Sequence, residues 1–475
     1  MCKRLKYFLA LGILVSCSSC ARFEPKPISP AQTATALENR TLDDPGLKNF
    51  LEKNLHHEPG NWPATQWNFE MLTLAAFYFH PDLDVARAQW NVAQAGVKTA
   101  GGVPNPTLSL VPGYDTTHNA GLSPWFPAVS FDLPVETAGK RGKRIAQAEY
   151  LSESARLNIA VTAWQVRSRL RRSLVDFYAA REAEGLLQQQ QQTQAEVVRL
   201  LEAQLSAGAV SPFEVTQARI ALDNTRLALG DAERQRGEAH AQVASALGLP
   251  ASALDDTVLS FAGLAQPPTA GLQSPELRRQ ALWNRADILS ALAEYAAAES
   301  ALRLEIARQY PDVHLSPGYQ FDQRDNKWSL GITFELPVLN QNQGPIIEAK
   351  AKREEAAAHF LSVQAKAIGD VDRAAAAYSG ALTKVAMADT LLANLKKQER
   401  TTQARLDAGD ISRLELSAVQ VELSQSALIR LDALVKAQQT FGDLEDALQS
   451  PLDLPDSVWQ TSPRISETSK TNKHP

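Results

Sequence analysis

The sequence predicts a mostly α-helical protein with a small β part, built as two copies of one long-helix/β-hairpin unit. Three observations predict it. Segments of the first half recur in the second half in the same order. Each half holds a helical run far longer than a globular core uses, and each holds two short segments that alternate apolar and polar residues.

The repeats are legible by eye. Pro106-Thr107-Leu108-Ser109-Leu110-Val111-Pro112-Gly113-Tyr114 returns as Pro311-Asp312-Val313-His314-Leu315-Ser316-Pro317-Gly318-Tyr319. Phe131-Asp132-Leu133-Pro134-Val135 returns as Phe334-Glu335-Leu336-Pro337-Val338. Leu205-Ser206-Ala207-Gly208-Ala209-Val210-Ser211-Pro212-Phe213-Glu214 returns as Leu406-Asp407-Ala408-Gly409-Asp410-Ile411-Ser412-Arg413-Leu414-Glu415. The offsets are 205, 203 and 201 residues. Three collinear matches mark a tandem duplication of a unit of roughly 200 residues, too long for a solenoid repeat.

In chain order, residues 1–16 read as a lipoprotein signal peptide. Lys3, Arg4 and Lys6 precede the apolar run Tyr7 to Val15. Leu14-Val15-Ser16-Cys17 resembles a lipobox, which makes Cys17 the lipid-attachment residue of a mature N-terminal segment, 17–66. A plain secretion signal and acylation at Cys20 are the competing readings, and Cys17-Ser18-Ser19 fits a lipobox before Cys20 badly. With Cys17 first, Ser18 is the second mature residue; an aspartate there would favour inner-membrane retention, and serine permits delivery to the outer membrane.

The first repeat is expected over 67–250 and the second over 275–451, with a linker at 251–274 and a flexible tail at 452–475. Each repeat opens on a helical stretch (about 69–102 and 275–309) that leads into two strands. The strands are expected at about 106–114 and 126–135, then at about 311–321 and 327–337. A very long helix follows (about 137–206 and 341–407), then a glycine turn, then a shorter helix (about 212–247 and 412–449). The long runs are rich in Ala, Gln, Glu, Leu and Arg and contain no proline beyond Pro345. At 1.5 Å per residue each makes a rod of ~100 Å, and the two shorter helices of a unit would match it if stacked end to end. Val166, Leu170, Leu174 and Phe177 mark an apolar face. Leu414, Val421, Leu428 and Val435 recur every seven residues, as in a coiled-coil seam. The Gln188–Gln192 run reads as solvated helix surface.

The strands have two unlike faces. Trp328, Leu330, Ile332, Phe334 and Leu336 alternate with Lys327, Ser329, Gly331, Thr333 and Glu335. Val313, Leu315, Pro317, Tyr319 and Phe321 alternate with Asp312, His314, Ser316, Gly318 and Gln320, and Val129, Phe131, Leu133 and Val135 with Ala128, Ser130 and Asp132. Such strands suit a barrel with lipid outside and water inside, or a soluble hairpin with one buried face. In the barrel reading Asp132, His314, Thr333 and Glu335 face the lumen. Four strands cannot close a spanning barrel, for which about eight is the minimum. Three copies of four strands would supply twelve.

Composition excludes other classes. The net charge of −5 offers no basic field for nucleic acid. Past the N-terminus no apolar run reaches the length of a spanning helix. The three cysteines all lie in the first 20 residues, so the body has no disulfide framework, cysteine metal site or thiol nucleophile. Three methionines argue against a thioether copper surface. Neither the eight histidines nor any glycine-rich segment forms a metal, nucleotide or nucleophile motif, so no enzyme, cofactor or metal site is expected. His56-His57 reads as a solvated pair.

Together these features resemble the TolC-like outer-membrane factor family, from about Trp67 to Pro451. The carriers are the paired Pro-x-(Leu/Val)-x-Leu-x-Pro-Gly-Tyr strands, the (Asp/Glu)-Leu-Pro-Val strand ends and the Ala-Gly-x-(Val/Ile)-Ser-x-(Phe/Leu)-Glu turns. The resemblance implies a homotrimer with a twelve-stranded outer-membrane β-barrel continuous with a periplasmic α-helical barrel. An equatorial region would include 251–274, and an inner-membrane pump of RND type and a periplasmic adaptor would be its partners. Glu136-Thr137-Ala138-Gly139-Lys140-Arg141-Gly142-Lys143-Arg144 and Phe23-Glu24-Pro25-Lys26-Pro27-Ile28 look like the heavy-metal (CzcC-like) branch, which implies a divalent metal-ion cargo. Drug or protein export is the alternative within the class, and a non-conducting lipoprotein scaffold the alternative outside it. The basic cluster at 140–144 is expected to contact lipid headgroups where the second strand leaves the membrane.

The resemblance also places function at the turns. Gly208, Ala209, Val210 and Ser211, with Gly409, Asp410, Ile411 and Ser412, would be adaptor-docking tips. Glu214 and Glu415 stand where the family puts gate acids. A further acid and a basic linking residue of the family pattern are replaced by Ala418 and Ile411.

Overall fold

The computed structural model describes residues 22–55, 62–117, 123–268, 279 and 282–451. The chain divides into two units, one ending at Thr41 and one beginning at Leu42. The described part of the first is an extended, exposed segment followed by helix α1 (Pro30–Glu38), with proline at its start.

The second unit carries the repeats. Its elements are α2 (Pro45–Asn54), β1 (Gln66–Trp67), α3 (Phe69–Phe79), α4 (Pro81–Ala100), β2 (Thr107–Tyr114), β3 (Trp125–Val135), α5 (Lys140–Ser206) and α6 (Pro212–Leu247). Next come β4 (Val258–Leu259), α7 (Ala286–Ala307), β5 (Val313–Asp322), β6 (Asp325–Phe334), α8 (Gln343–Asp407) and α9 (Arg413–Leu448). The rods α5 and α8 are continuous over 67 and 65 residues. Each begins after a residue in the left-handed region, Gly139 (φ 65°) or Asn342 (φ 60°), a turn that glycine and asparagine tolerate best.

The helical stretch expected at 69–102 is in fact two helices. Pro81 has no N–H for the preceding turn, so α3 ends at Phe79 and α4 begins at Pro81. His80 caps α4 by accepting from the Asp82 N–H at 3.2 Å. The break has a use. The C-terminus of α6 arrives there at Gly248 (φ +76°), where a Cβ would lie 2.9 Å from the Phe79 carbonyl oxygen. Gly248→Ala is therefore expected to cost about 1–2 kcal/mol, read as a lower thermal midpoint than wild type. Gly230→Ala, in open space within α6, should not lower it.

In the second repeat α9 meets α7 the same way. Arg285 donates to the Ala447 carbonyl at 2.7 Å, and Gln449 accepts from the Ala286 N–H at 2.9 Å. The shorter helices thus stack end to end beside the long ones. The layer runs α4–α5–α7–α8 nearer the strands and α6–α5–α9–α8 nearer the glycine turns. One apolar core gathers Leu47, Leu51, Trp67, Leu72, Leu170, Val243, Leu247 and Leu259. A second lies between α8 and α9, around Tyr378 and Phe441.

Two expectations about these rods need correcting. Leu414, Val421, Leu428 and Val435 are only half-buried, and Ser417, Ser424, Ala433 and Ala437 pack inward instead. The glutamine run is not all surface: Gln190 is buried, as is Gln194 one helical turn on, just past the run. Gln190 reaches Thr225 of α6 at 3.5 Å.

Strands β2-β3-β5-β6 form one antiparallel sheet, and the β3–β5 pairing joins the two repeats. The register puts Leu108 opposite Phe131, Leu133 opposite Leu315, Leu315 opposite Ile332 and Tyr319 opposite Trp328. One face is therefore a continuous apolar surface, with Trp328 79% exposed. A separate parallel pair, β1–β4, matches Gln66 with Val258 and ties the start of the first repeat to the linker.

Candidate functional site

The opposite face of the sheet is polar. Asp132 lies across from Thr107 on one side, and His314 across from Thr333 on the next pair. His314 Nδ1 and the Asp132 carboxylate are 2.9 Å apart, and Ser316 Oγ donates to the same carboxylate at 3.4 Å. Three of the four residues expected in the lumen therefore share this face. Glu335 is the exception, because β6 ends at Phe334 and leaves it beyond the strand.

At the other end of the layer the two glycine turns have one geometry. Gly208 (φ +71°) and Gly409 (φ +80°) are left-handed. The Gly208 N–H donates to Leu205 O at 2.9 Å and the Ala209 N–H to Gln204 O at 2.8 Å. In the second repeat Gly409 bonds to Leu406 O and Asp410 to Arg405 O, each at 2.9 Å. This paired closure satisfies the last helical carbonyls and reverses the chain within a few residues. Ala209, Ser211, Asp410 and Ser412 are exposed, with Val210 and Ile411 half-buried between them.

The two acids beyond the turns lie in the first turns of helices capped by Ser211 and Ser412. Ser211 Oγ accepts from the Glu214 N–H at 3.4 Å, and Ser412 and Glu415 form a reciprocal capping box. Glu415 Oε1 lies 3.4 Å from the Ser412 N–H that it accepts. Sequence reasoning finds no basic link at Ile411, yet a link exists two residues on. Arg413 Nε lies 3.6 Å from Glu196 Oε1 and joins α9 to α5 near the tips.

The basic cluster at the start of α5, expected at lipid headgroups, is largely engaged within the protein. Lys140 is buried and donates to Asp312 Oδ1 at 2.8 Å, where Thr137 N also donates at 2.9 Å. Arg144 pairs with Glu136 and donates to the Ala100 and Gly102 carbonyls at 3.2 and 3.3 Å. Lys143 caps the Ala138 carbonyl at 2.6 Å, and Arg141 alone of the cluster's cations is exposed. These bonds gather the ends of α4 and β3 and the approach to β5. Burial pushes the Asp312 carboxyl up, but the Lys140 and Thr137 bonds outweigh it and hold it below the usual range.

A site without any local sequence signal lies midway down the rods. Glu445 of α9 is fully buried and takes a two-pronged contact from Arg167 at 3.0 and 3.2 Å, with Arg171 at 3.6 Å. Arg171 also donates to Gln438, whose amide donates to the Leu264 and Gln266 carbonyls at 3.0 and 3.2 Å. The node ties α5 and α9 to the linker. The groups are 278 residues apart in pairs such as Arg167 and Glu445, so no motif could announce them. Nearby, burial pushes the His80 imidazole down; Asp82 raises it and Arg169 lowers it further. His80 is thus held neutral, and its share of stability is present above about pH 6.5 and lost as pH falls below it.

A family model for outer membrane efflux proteins matches the chain twice, over residues 78–249 and 277–448, once in each repeat. The chain belongs to the outer membrane efflux protein family. Members of that family work as trimers with adaptor and inner-membrane pump partners. Among curated relatives, the cobalt-zinc-cadmium resistance protein CzcC of Cupriavidus metallidurans is 25% identical over 283 residues. That match covers 59% of this chain and 65% of the relative, just under two thirds of its length. The pyoverdine export outer membrane protein OpmQ of Pseudomonas aeruginosa is 24% identical over 388 residues, 76% of this chain and 81% of the relative. Among solved structures, CusC superposes with a TM-score of 0.65 at 17% identity, over 83% of this chain and 96% of that one. The fold is thus that of the outer membrane efflux proteins, with the small sheet at one end of long paired helices.

Proposed function

We propose that this chain is the outer-membrane channel of a tripartite efflux assembly, a homotrimer that conducts passively from an inner-membrane pump and a periplasmic adaptor to the outside. The observation that carries the reading is the four-stranded sheet with one apolar face, one polar face and two open edges. A lone sheet of this kind has no core to cover its apolar face, whereas a twelve-stranded barrel puts that face in lipid and the Asp132–His314 face in water. A scaffold that conducts nothing has no use for such a sheet. No described helix is long and apolar enough to cross a membrane.

The cargo in this reading is divalent metal ions, the pump is of the RND type, and Cys17, which lies outside the described residues, carries the lipid anchor. Likeness to CzcC and the basic segment after Glu136 support the metal cargo. The longer match to OpmQ favours a second reading, export of a metal-chelating or other organic molecule. The turns at Gly208 and Gly409 dock the adaptor, and three copies of Glu415 and Glu214 narrow the periplasmic end and draw cations.

The test has two arms. A strain lacking this chain should lose zinc, cobalt or cadmium tolerance and regain it with the wild-type chain, and intact mass should show acylation at Cys17. In planar bilayers the purified protein should be cation-selective, less so with Glu415→Ala and Glu214→Ala. Unchanged metal tolerance overturns the cargo, an unacylated mature start elsewhere overturns the anchor, and unchanged selectivity in both variants overturns the gate.

A further inference from the structure

Strands β2, β3, β5 and β6 hold one histidine, His314, and its ring is held in a particular way. Nδ1 lies 2.9 Å from one oxygen of the Asp132 carboxylate and 3.1 Å from the other. An ionised carboxylate can only accept, so Nδ1 carries the proton of this bond. Nε2, on the other side of the ring, then keeps its lone pair. Ser316 donates to the same carboxylate from β5, Thr107 stands across from Asp132, and Thr333 stands across from His314. The pair is open to solvent, with the His314 side chain 42% and the Asp132 side chain 38% exposed.

Folding does not account for this pair. The β3–β5 register runs from Ala128 opposite Gln320 to Val135 opposite Val313, so backbone bonds join the strands on both sides of it. An ion pair this exposed adds little to stability. The duplication makes the same point. The counterpart of His314, 205 positions earlier, is Ser109, which pairs with Ser130. The counterpart of Asp132, 203 positions later, is Glu335, beyond the end of β6. The first repeat thus builds the same strand with a hydroxyl, and the imidazole with its oriented carboxylate is peculiar to the seam between the repeats.

We propose that His314 Nε2, oriented by Asp132, is a contact site inside the barrel for divalent cations of the zinc, cobalt and nickel kind. The inference rests on the channel reading above and goes beyond it by naming where such an ion touches the barrel wall. A carboxylate that accepts from one ring nitrogen fixes the tautomer, aims the other nitrogen and raises its basicity, the usual support of a metal-ligating histidine. Imidazole nitrogen suits zinc, cobalt and nickel, whereas magnesium and calcium want oxygen. The Asp132 charge draws the cation in, and the hydroxyls of Thr107, Ser316 and Thr333 can hydrogen-bond the waters it retains. One imidazole with water in the remaining positions holds an ion weakly, and a conduit needs a site that an ion can leave.

The test is block of single-channel current in planar bilayers by zinc chloride, with magnesium chloride as the oxygen-seeking control. Wild-type current should fall with zinc at concentrations where magnesium has little effect. Asp132→Asn keeps an acceptor for Nδ1 but loses the charge, and should raise the zinc concentration for half-block by about 10-fold or more. His314→Gln should abolish the difference between zinc and magnesium. Thr333→His sets a second imidazole directly across from the first, at a spacing one ion can bridge, and should lower the half-blocking zinc concentration by about 10-fold or more. That gain of affinity decides the matter if His314→Gln fails to assemble. Zinc and magnesium acting alike on the wild type, or zinc block untouched by both His314→Gln and Thr333→His, overturns the site and leaves the channel standing. A wild-type protein that carries no current sinks the channel reading, and the site with it.

Discussion

Glu445→Ala is expected to leave most of the protein unfolded or unassembled. The substitution strands Arg167 and Arg171, both buried, without the carboxylate that compensates them. Removing one partner of a buried ion pair costs about 3–5 kcal/mol, a large part of any domain's stability. The loss should spread, because Arg171 orients Gln438 and Gln438 holds the linker carbonyls. Arg172→Ala is the control: its bonds to Asp443 and Asp446 are solvent-exposed, so its removal should cost under about 1 kcal/mol. Thermal midpoints and yield in detergent check both. A Glu445→Ala protein within about 1 kcal/mol of wild type would mean that water or relaxation replaces the carboxylate.

Gly208→Trp combined with Gly409→Trp is expected to reduce efflux to the level of the deletion strain. Expression and oligomer content should stay within about twofold. Both glycines are left-handed, and a side chain there carries a strain of roughly 1–2 kcal/mol per site. Nothing stands within 4 Å of either new Cβ, so the helices below need not move. What changes is the outward surface of the turn, where the adaptor is proposed to sit. Gly208→Asn with Gly409→Asn separates the causes, since asparagine tolerates the left-handed backbone without bulk. That pair should retain efflux. Full efflux in the tryptophan pair would remove the docking role.

The parts of this architecture that sequence reveals are those set by short-range periodicity. The alternation around Phe131 and Ile332 and the long runs with no proline past Pro345 place strands and rods to within a few residues. The errors come from partners that only the fold supplies. Pro81 sits where a helix can begin as easily as bend, and the meeting with Gly248 makes it a beginning. Gln190 and Gln194 look solvated because glutamine usually is, yet they hold seam positions on α5 and are buried with it. Lys140 belongs to a basic run, but Asp312 turns it inward. At the candidate sites, Gly208 and Gly409 announce their backbone need in their identity. The rotation of Glu415 about its helix, and its bond to Ser412, cannot be read from a list of residues.

The sheet's open edges set the order of biogenesis. A newly exported chain can form its helix hairpins alone, because α5–α6 and α8–α9 are local in sequence and such contacts form quickly. The strands cannot finish alone. β2 and β6 each present a row of unpaired backbone groups, beside an apolar face that water does not tolerate. A solitary chain waiting in the aqueous compartment is therefore a template for sticking to itself in the wrong arrangement. Membrane entry and association must be one event, with a rate that rises steeply with local chain concentration. Overproduction should consequently show itself first as aggregated precursor, well before it yields more channels.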